Sequence, residues 1–320
     1  MGRITSHVVM ACLIITCAGR AAGAKETVTL GTATPGGGFP LYGEVVARVV
    51  NAGDASLHIR PLNTKGSSEN VPLLEAGKVD IALVQGEAAR EAFTATGRLP
   101  ANLKIIAAMY ATPGMFVVRR DSPYRTINDL KGKRVAFGAR GSGLVILARH
   151  VLSGMGLDQN RDFQAVYLDR AGDGPAMVAD GRVAALWGGG VGWPGFTAVA
   201  KVPGGARFIA PDSGEIGRIL GKYPFLKEIT IPAASYPGQE SAVTSVGSWS
   251  FILSRPDLPD DVAYRIARAL HHGEARLCAD LPQACATTMA NTVAAAPRQD
   301  LVHPGVMRYL LEMKGSPCLK

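Results

Sequence analysis

The chain has 320 residues, enough for two domains that each bury a core. Its 47% hydrophobic and 19% charged content excludes global disorder. The net charge of +8 is scattered, its densest cluster being Lys131, Lys133 and Arg134. A nucleic-acid binder would concentrate that charge in a patch with interleaved aromatics, so the basic excess reads as solubility and steering of acidic ligands.

Residues 1–24 read as an export signal, with Arg3 as a thin positive start, an apolar stretch over 8–18 and a small-x-small cleavage site at Ala22-Gly23-Ala24. The stretch is too short for a permanent membrane helix. Cleavage there places the mature protein outside the cytoplasm, in the periplasm. Anchoring as a lipoprotein at Cys17 is the weaker alternative, because Thr16 fits a lipid signal poorly.

Strand patterns follow at 27–30, 58–61, 80–84, 104–110, 116–119, 134–137, 163–167, 184–187 and 207–209. Helical patterns alternate with them, as over 39–50, where Leu41, Val45, Val46, Val49 and Val50 make one apolar stripe. Such alternation predicts α/β layers with helices covering the sheets. The chain also says nearly the same thing twice. A strand ending at Gly31, a glycine loop over 32–38 and a helix recur as a strand ending at Gly138, a loop over 139–143 and a helix over 144–152. GKVDIAL at 77–83 and GRVAAL at 181–186 form a second matched pair. Two lobes of similar construction are therefore expected, each with a glycine loop at a helix N-terminus. Such an end has free N–H groups and a positive dipole, and two facing each other make a clamp for a small acid.

The run 116–119 and an extended run over 245–253 read as the two crossings between lobes, and crossings of this kind make a hinge. The helix pattern over 260–272, with Asp260 and Asp261 in its first turn, would return to the first lobe. The expected division is 1–24 signal, 25–116 with 245–320 as a discontinuous lobe 1, and 117–244 as an inserted lobe 2.

Cys278 and Cys285 either close a small disulfide loop in an oxidising compartment or stay free, as Cys318 would. No CxxC pair or Cys/His cluster has zinc spacing, so no metal is expected. GARGSG is not GxGxxG and lacks an acidic residue to hold a ribose, so no nucleotide cofactor is expected.

Candidate ligand contacts in the first lobe are Gly36, Gly37 and Gly38, whose N–H groups are bare, and Phe39, which would pack on a carbon skeleton. Ser67, Ser68 and Asn70 open the next helix, where Ser67 has the alternative use of an N-cap. Gln85 ends a strand at the cleft floor. In the second lobe the candidates are Gly141, Ser142 and Gly143, with Arg140 as a charge-assisted partner or a solvent-facing arginine. Trp187, Trp193 and Tyr236 either wall the cleft or belong to the core. Lys65 reads as a second cation or as a solvated surface charge.

Five segments in order carry a resemblance: GTATPGGGFPLYG at 31–43, NTKGSSENVPLLEAGKVDIALVQ at 63–85, INDLKGKRVAFGARGSG at 127–143, YPFLKEITIPAASYPGQ at 223–239 and VHPGVMRYLLEMKG at 302–315. With these the chain resembles the TAXI-type extracytoplasmic solute-binding proteins of TRAP transporters. The resemblance implies a two-lobed type II periplasmic-binding-protein fold that closes on a small solute such as glutamate or a dicarboxylate. It also implies delivery to a TRAP membrane permease driven by an ion gradient. In this chain Phe39 alone precedes Pro40, where the family commonly has two tyrosines, and Arg140 stands where a small residue or proline is usual. A periplasmic ligand sensor for a receptor kinase would use the same pocket. An enzyme is the least favoured reading, because neither a GxSxG elbow nor HExxH occurs.

Overall fold

The computed structural model describes residues 25–94 and 99–315, so the expected signal segment, Cys17 and Cys318 lie outside the described residues. The chain opens with β1 (Glu26–Gly31), α1 (Gly38–Gly53), β2 (Leu57–Leu62), α2 (Ser67–Glu75), β3 (Ile81–Val84), α3 (Gly86–Phe93) and β4 (Lys104–Arg119). There follow β5 (Arg134–Ala139), α4 (Gly143–Gly154), β6 (Gln164–Leu168), α5 (Gly174–Ala179), β7 (Ala185–Gly189), α6 (Pro194–Ala200) and β8 (Ala206–Ile209). The remainder is α7 (Ser213–Lys222), β9 (Lys227–Ile231), β10 (Val243–Ser254), α8 (Asp260–His272), α9 (Glu274–Asp280), α10 (Met289–Ala295) and α11 (Pro304–Gly315).

The strands run β2-β1-β3-β10-β4-β7-β5-β6, with β8 added to β4 and β9 to β10. This order is internally symmetric. In the first half-sheet β1 lies parallel to β2 and β3, and β3 is closed by antiparallel β10. In the second, β5 lies parallel to β6 and β7, and β7 is closed by antiparallel β4. Each half therefore borrows its antiparallel strand from a segment that also runs through the other. The doubling read from the glycine loops is a doubling of topology.

The segments 104–110 and 116–119, expected as separate strands, form the single strand β4. Its first part pairs with β10 and its last part with β7 and β8, so pairing never lapses. Buried on both faces along nearly its whole length, β4 reads after Lys104 as the largely apolar run IIAAMYATPGMFVV, which hides its continuity from a period-based reading.

Helices cover both faces of each half-sheet. In the first, α1, α8 and α11 pack over Leu30, Ile59 and Ile106, while α2 and α3 pack over Ala82, Val84 and Phe251 on the other face. In the second, α4 and α7 enclose Phe116, Phe137 and Trp187, and α5 and α6 enclose Met115, Val117 and Leu186. The stripe on α1 is shifted from the expected one. Tyr42 is fully buried and bonds Thr287, whereas Leu41 is 43% exposed. A tyrosine whose hydroxyl finds a buried partner can take the core position, and leucine then faces out.

Cys278 and Cys285 are joined in a disulfide that ties the end of α9 to the following turn. Among the described residues no helix is long and apolar enough to cross a membrane, and no cluster of three or more His, Cys, Asp or Glu could hold a metal.

Candidate functional site

The loops that follow β1 and β5 meet at a cavity of about 50 Å³. Three helices begin at this cavity. The N–H groups of Gly38 and Phe39 open α1, that of Ser67 opens α2 and that of Gly143 opens α4. The first N–H groups of a helix have no intrahelical acceptor, and these four have no other acceptor among the described residues. Two converging helix ends were expected; the third, α2, adds to the same positive potential.

Side chains add further donors. Gln85 is 3% exposed and lines the cavity, its backbone N–H donates to Ser67 Oγ at 3.1 Å, and its side-chain Nε2 has no hydrogen-bond partner. An unpaired buried amide costs free energy unless a ligand or water completes it. Tyr110 and Trp193 also line the cavity, and neither the hydroxyl nor the indole N–H bonds another described residue. Burial pushes the Tyr110 hydroxyl far above the ordinary tyrosine range, so it remains a donor at any physiological pH. Lys65 is the single ionisable side chain with an ammonium or carboxylate on the lining.

The lobes stand closed. Ser68 N–H donates to the Gly141 carbonyl at 3.1 Å, and Gly172 N–H to the Pro35 carbonyl at 3.3 Å. Ala171 N–H donates to Thr34 Oγ1 at 3.1 Å, and Arg149 pairs with Glu91 at 3.0 Å. The approach is close enough that side chains are excluded. A Cβ on Gly143 would fall 2.5 Å from Gln85 Cβ, and one on Gly36, whose φ is +81°, would fall 2.5 Å from Gly172 Cα.

Of the residues singled out from the sequence, Gly37, Gly38, Phe39, Lys65, Ser67, Gln85, Ser142, Gly143 and Trp193 line the cavity, Lys65 as an exposed residue. The others do not, and each has a partner that explains it. Gly36 faces Gly172, while Ser68 and Gly141 bond each other as part of the closure. Asn70 Nδ2 donates to the carbonyls of Thr32 and Leu83, both at 2.8 Å, and so ties together the ends of β1 and β3. Ser67 is the first residue of α2 rather than its cap, which is Gly66, and its Oγ accepts from Gln85.

Arg140 is exposed and its guanidinium lies 5.0 Å from the Tyr167 ring centre, outside the cavity. Trp187 is fully buried against Phe116, yet its Nε1 donates to the Leu144 carbonyl at 2.8 Å and so holds the first turn of α4 in place. Tyr236 Oη donates to the Gly190 carbonyl and accepts from Trp193 N–H, which anchors the loop that carries Trp193. Both aromatics thus support the site from behind. Tyr110 and Thr112 were not singled out, because they sit inside the apolar run of β4; their signal was the pair of hydroxyl-bearing residues at the point where that strand passes between lobes.

Behind Gln85, Glu87 is completely buried on α3, and its Oε1 accepts from Ser248 Oγ of β10 at 2.7 Å. Burial pushes its carboxyl up to about 7, outweighing the Ser248 bond that favours the charge, and the nearby Glu91 carboxylate adds to the rise. The Gln85 amide also favours the charged form, although its Nε2 still lacks a partner of hydrogen-bond geometry.

The same arrangement of two lobes occurs in solved structures. The periplasmic binding protein BugD is 12% identical, with 90% of this chain and 97% of that one covered at a TM-score of 0.56. A protein of Bordetella bronchiseptica RB50 is 14% identical over 90% of this chain and 89% of that one, with a TM-score of 0.54. The alkanesulfonate-binding protein SsuA from Xanthomonas axonopodis pv. citri, bound to MOPS, is 19% identical over 86% and 84%, with a TM-score of 0.48. The architecture is that of the two-lobed periplasmic binding proteins, as the doubled topology indicated. The sequence from residue 30 to residue 313 matches the NMT1-like family, and with most of its length so matched the chain belongs to the NMT1-like family.

Proposed function

We propose that the protein is an extracytoplasmic solute-binding receptor that closes its two lobes around a small anion and presents it to a membrane transporter. The observation that carries this reading is the convergence of three helix N-termini on one cavity, beside the buried hydroxyl of Tyr110. Among the described residues the cavity lining holds no His, Cys, Asp or Glu to act as nucleophile or general base, which favours capture over turnover.

In this reading 25–116 and 245–320 form one lobe and 117–244 the inserted other, with β4 and β10 as the hinge. The ligand binds the donors of the first lobe and then gains those of Gly143 and Trp193 on closure, and this differential contact shifts the population to the closed state. The five motif segments favour a TRAP permease of the TAXI type as the recipient, and a carboxylate-bearing solute as the cargo. The predicted signal at 1–24 and the family match support a periplasmic location.

A thermal-shift screen of the purified protein against organic acids tests the proposal. A true ligand at 100 times its dissociation constant adds about 2.7 kcal/mol of stability. A saturable rise in midpoint for one class of anion, with a smaller radius of gyration by X-ray scattering, is the expected result. A folded protein that responds to no anion would remove the receptor reading.

A further inference from the structure

We infer that, within the receptor reading on which this rests, the cleft selects short carboxylates that lack an amino group and discriminates against α-amino acids. The inventory of the cavity is one-sided. Its free donors are the N–H groups of Gly38, Phe39, Ser67 and Gly143, together with the Tyr110 hydroxyl and the Trp193 indole. Each can meet a carboxylate oxygen, a keto oxygen or a hydroxyl.

An α-ammonium makes the opposite demand. It brings three N–H donors and a full positive charge into a water-poor space, and it needs acceptors, one of them ionised, to replace its hydration. No carboxylate lines the cavity. The remaining acceptors are neutral: Gln85 Oε1, hydroxyl oxygens and backbone carbonyls. Glu87 does not supply the missing charge, because it is 0% exposed, does not line the cavity and is bonded through Oε1 to Ser248. The charges that do face the ligand are positive. Lys65 lines the mouth with its backbone and Cβ and is exposed, while the helix ends of α1, α2 and α4 all present their positive poles. An ammonium would be repelled by the same field that holds the carboxylate.

Volume points the same way. A cavity of about 50 Å³ has room for a few water-sized groups, each needing roughly 10–15 Å³. That suits a carboxylate with a short tail, whose carbon skeleton would lie against Phe39 and Leu144.

The test is calorimetric titration of the purified protein with two matched pairs that differ at one position: lactate against alanine, and 2-oxoglutarate against glutamate. In whichever pair binds, the member without the amino group is expected to bind at least about 30-fold more tightly, the usual penalty for a buried charge left unpaired. Lactate is expected to bind more tightly than 2-oxoglutarate. Equal or tighter binding of the amino acid overturns this inference while leaving the receptor reading intact. A preference for 2-oxoglutarate over lactate overturns the short-chain part alone. Absence of binding by all four, by acetate and by succinate overturns both the inference and the receptor reading.

Discussion

The glycine loop after β1 and the glycine loop after β5 share one local construction, yet they leave different groups free. At the first, Gly37 caps α1 without any side-chain bond, so the N–H groups of Gly38 and Phe39 remain open. At the second, Ser142 Oγ accepts from Leu144 N–H at 3.2 Å and leaves Gly143 as the free donor. The first lobe also holds Ser67, Gln85 and Tyr110, whereas the second adds chiefly Gly143 and the Trp193 wall. In the proposed receptor the duplicated motif serves as a docking half and a closing half. Serine in place of glycine at the cap is enough to change how many backbone donors face the ligand.

The sharpest way to break this division is to spoil the closing half alone. Gly143→Val would place side-chain carbon where Gln85 Cβ lies 2.5 Å from the ideal Cβ position, and the clash exists only when the lobes meet. Loss of about 3 kcal/mol of binding, on the order of 100-fold in affinity, is expected with little change in the unliganded melting temperature. Normal affinity by calorimetry would show that closure onto Gln85 is unnecessary.

A comparable effect, on stability rather than binding, is expected at Glu87 behind the docking half. Its folded-state carboxyl titrates at about 7, above the unfolded value of 4.5. Stability from this group is therefore complete below pH 4.5 and is lost as the pH rises through 7. Glu87→Gln should match the parent at pH 4 and exceed it by about 3 kcal/mol at pH 8.5, read from urea unfolding at both values. A constant difference across pH would mean that the buried carboxyl is not the titrating group.

Gln85→Leu removes one neutral amide from the docking half and fills the space with apolar volume. Roughly a tenfold weaker dissociation constant is expected, near 1.5 kcal/mol, with closure by scattering preserved. An unchanged constant would take Gln85 off the ligand. The smallest effect is expected from Arg149→Ala. Its pairing with Glu91 spans the cleft, but at 58% and 37% side-chain exposure the pair is screened, and at most about 0.5 kcal/mol should be lost. A larger loss would make this pair a latch rather than an ornament of the closed form.

Much of the fold is legible in the chain because its signals are local. The strand, glycine loop and helix order at 28–50 and again at 134–152 can be read from period and turn chemistry alone, as can the apolar face of α8. What escapes is set by distant partners. Leu41 and Tyr42 exchange roles on α1 because Thr287, far along the chain, accepts the tyrosine hydroxyl. The continuity of β4 is concealed because burial on two faces erases alternation. Among candidate contacts, Gly38, Phe39, Gln85 and Gly143 reach the cavity because strand ends in an α/β sheet point there. Asn70, Trp187 and Tyr236 have equally suggestive chemistry, but the Asn70 Nδ2, the Trp187 Nε1 and the Tyr236 hydroxyl are spent on backbone groups that hold the site.

The residue order thus settled the alternation of strands and helices, their doubling and the placing of glycine loops at helix ends, since each depends on neighbours within a few positions. Tertiary packing decided which donors remain unsatisfied. The Gly141 carbonyl is taken by Ser68 from the opposite lobe, while Gly143 N–H next to it stays free. Hydrogen-bond satisfaction is a property of the groups that meet in space, and Ser68 and Gly141 are 73 positions apart in the chain.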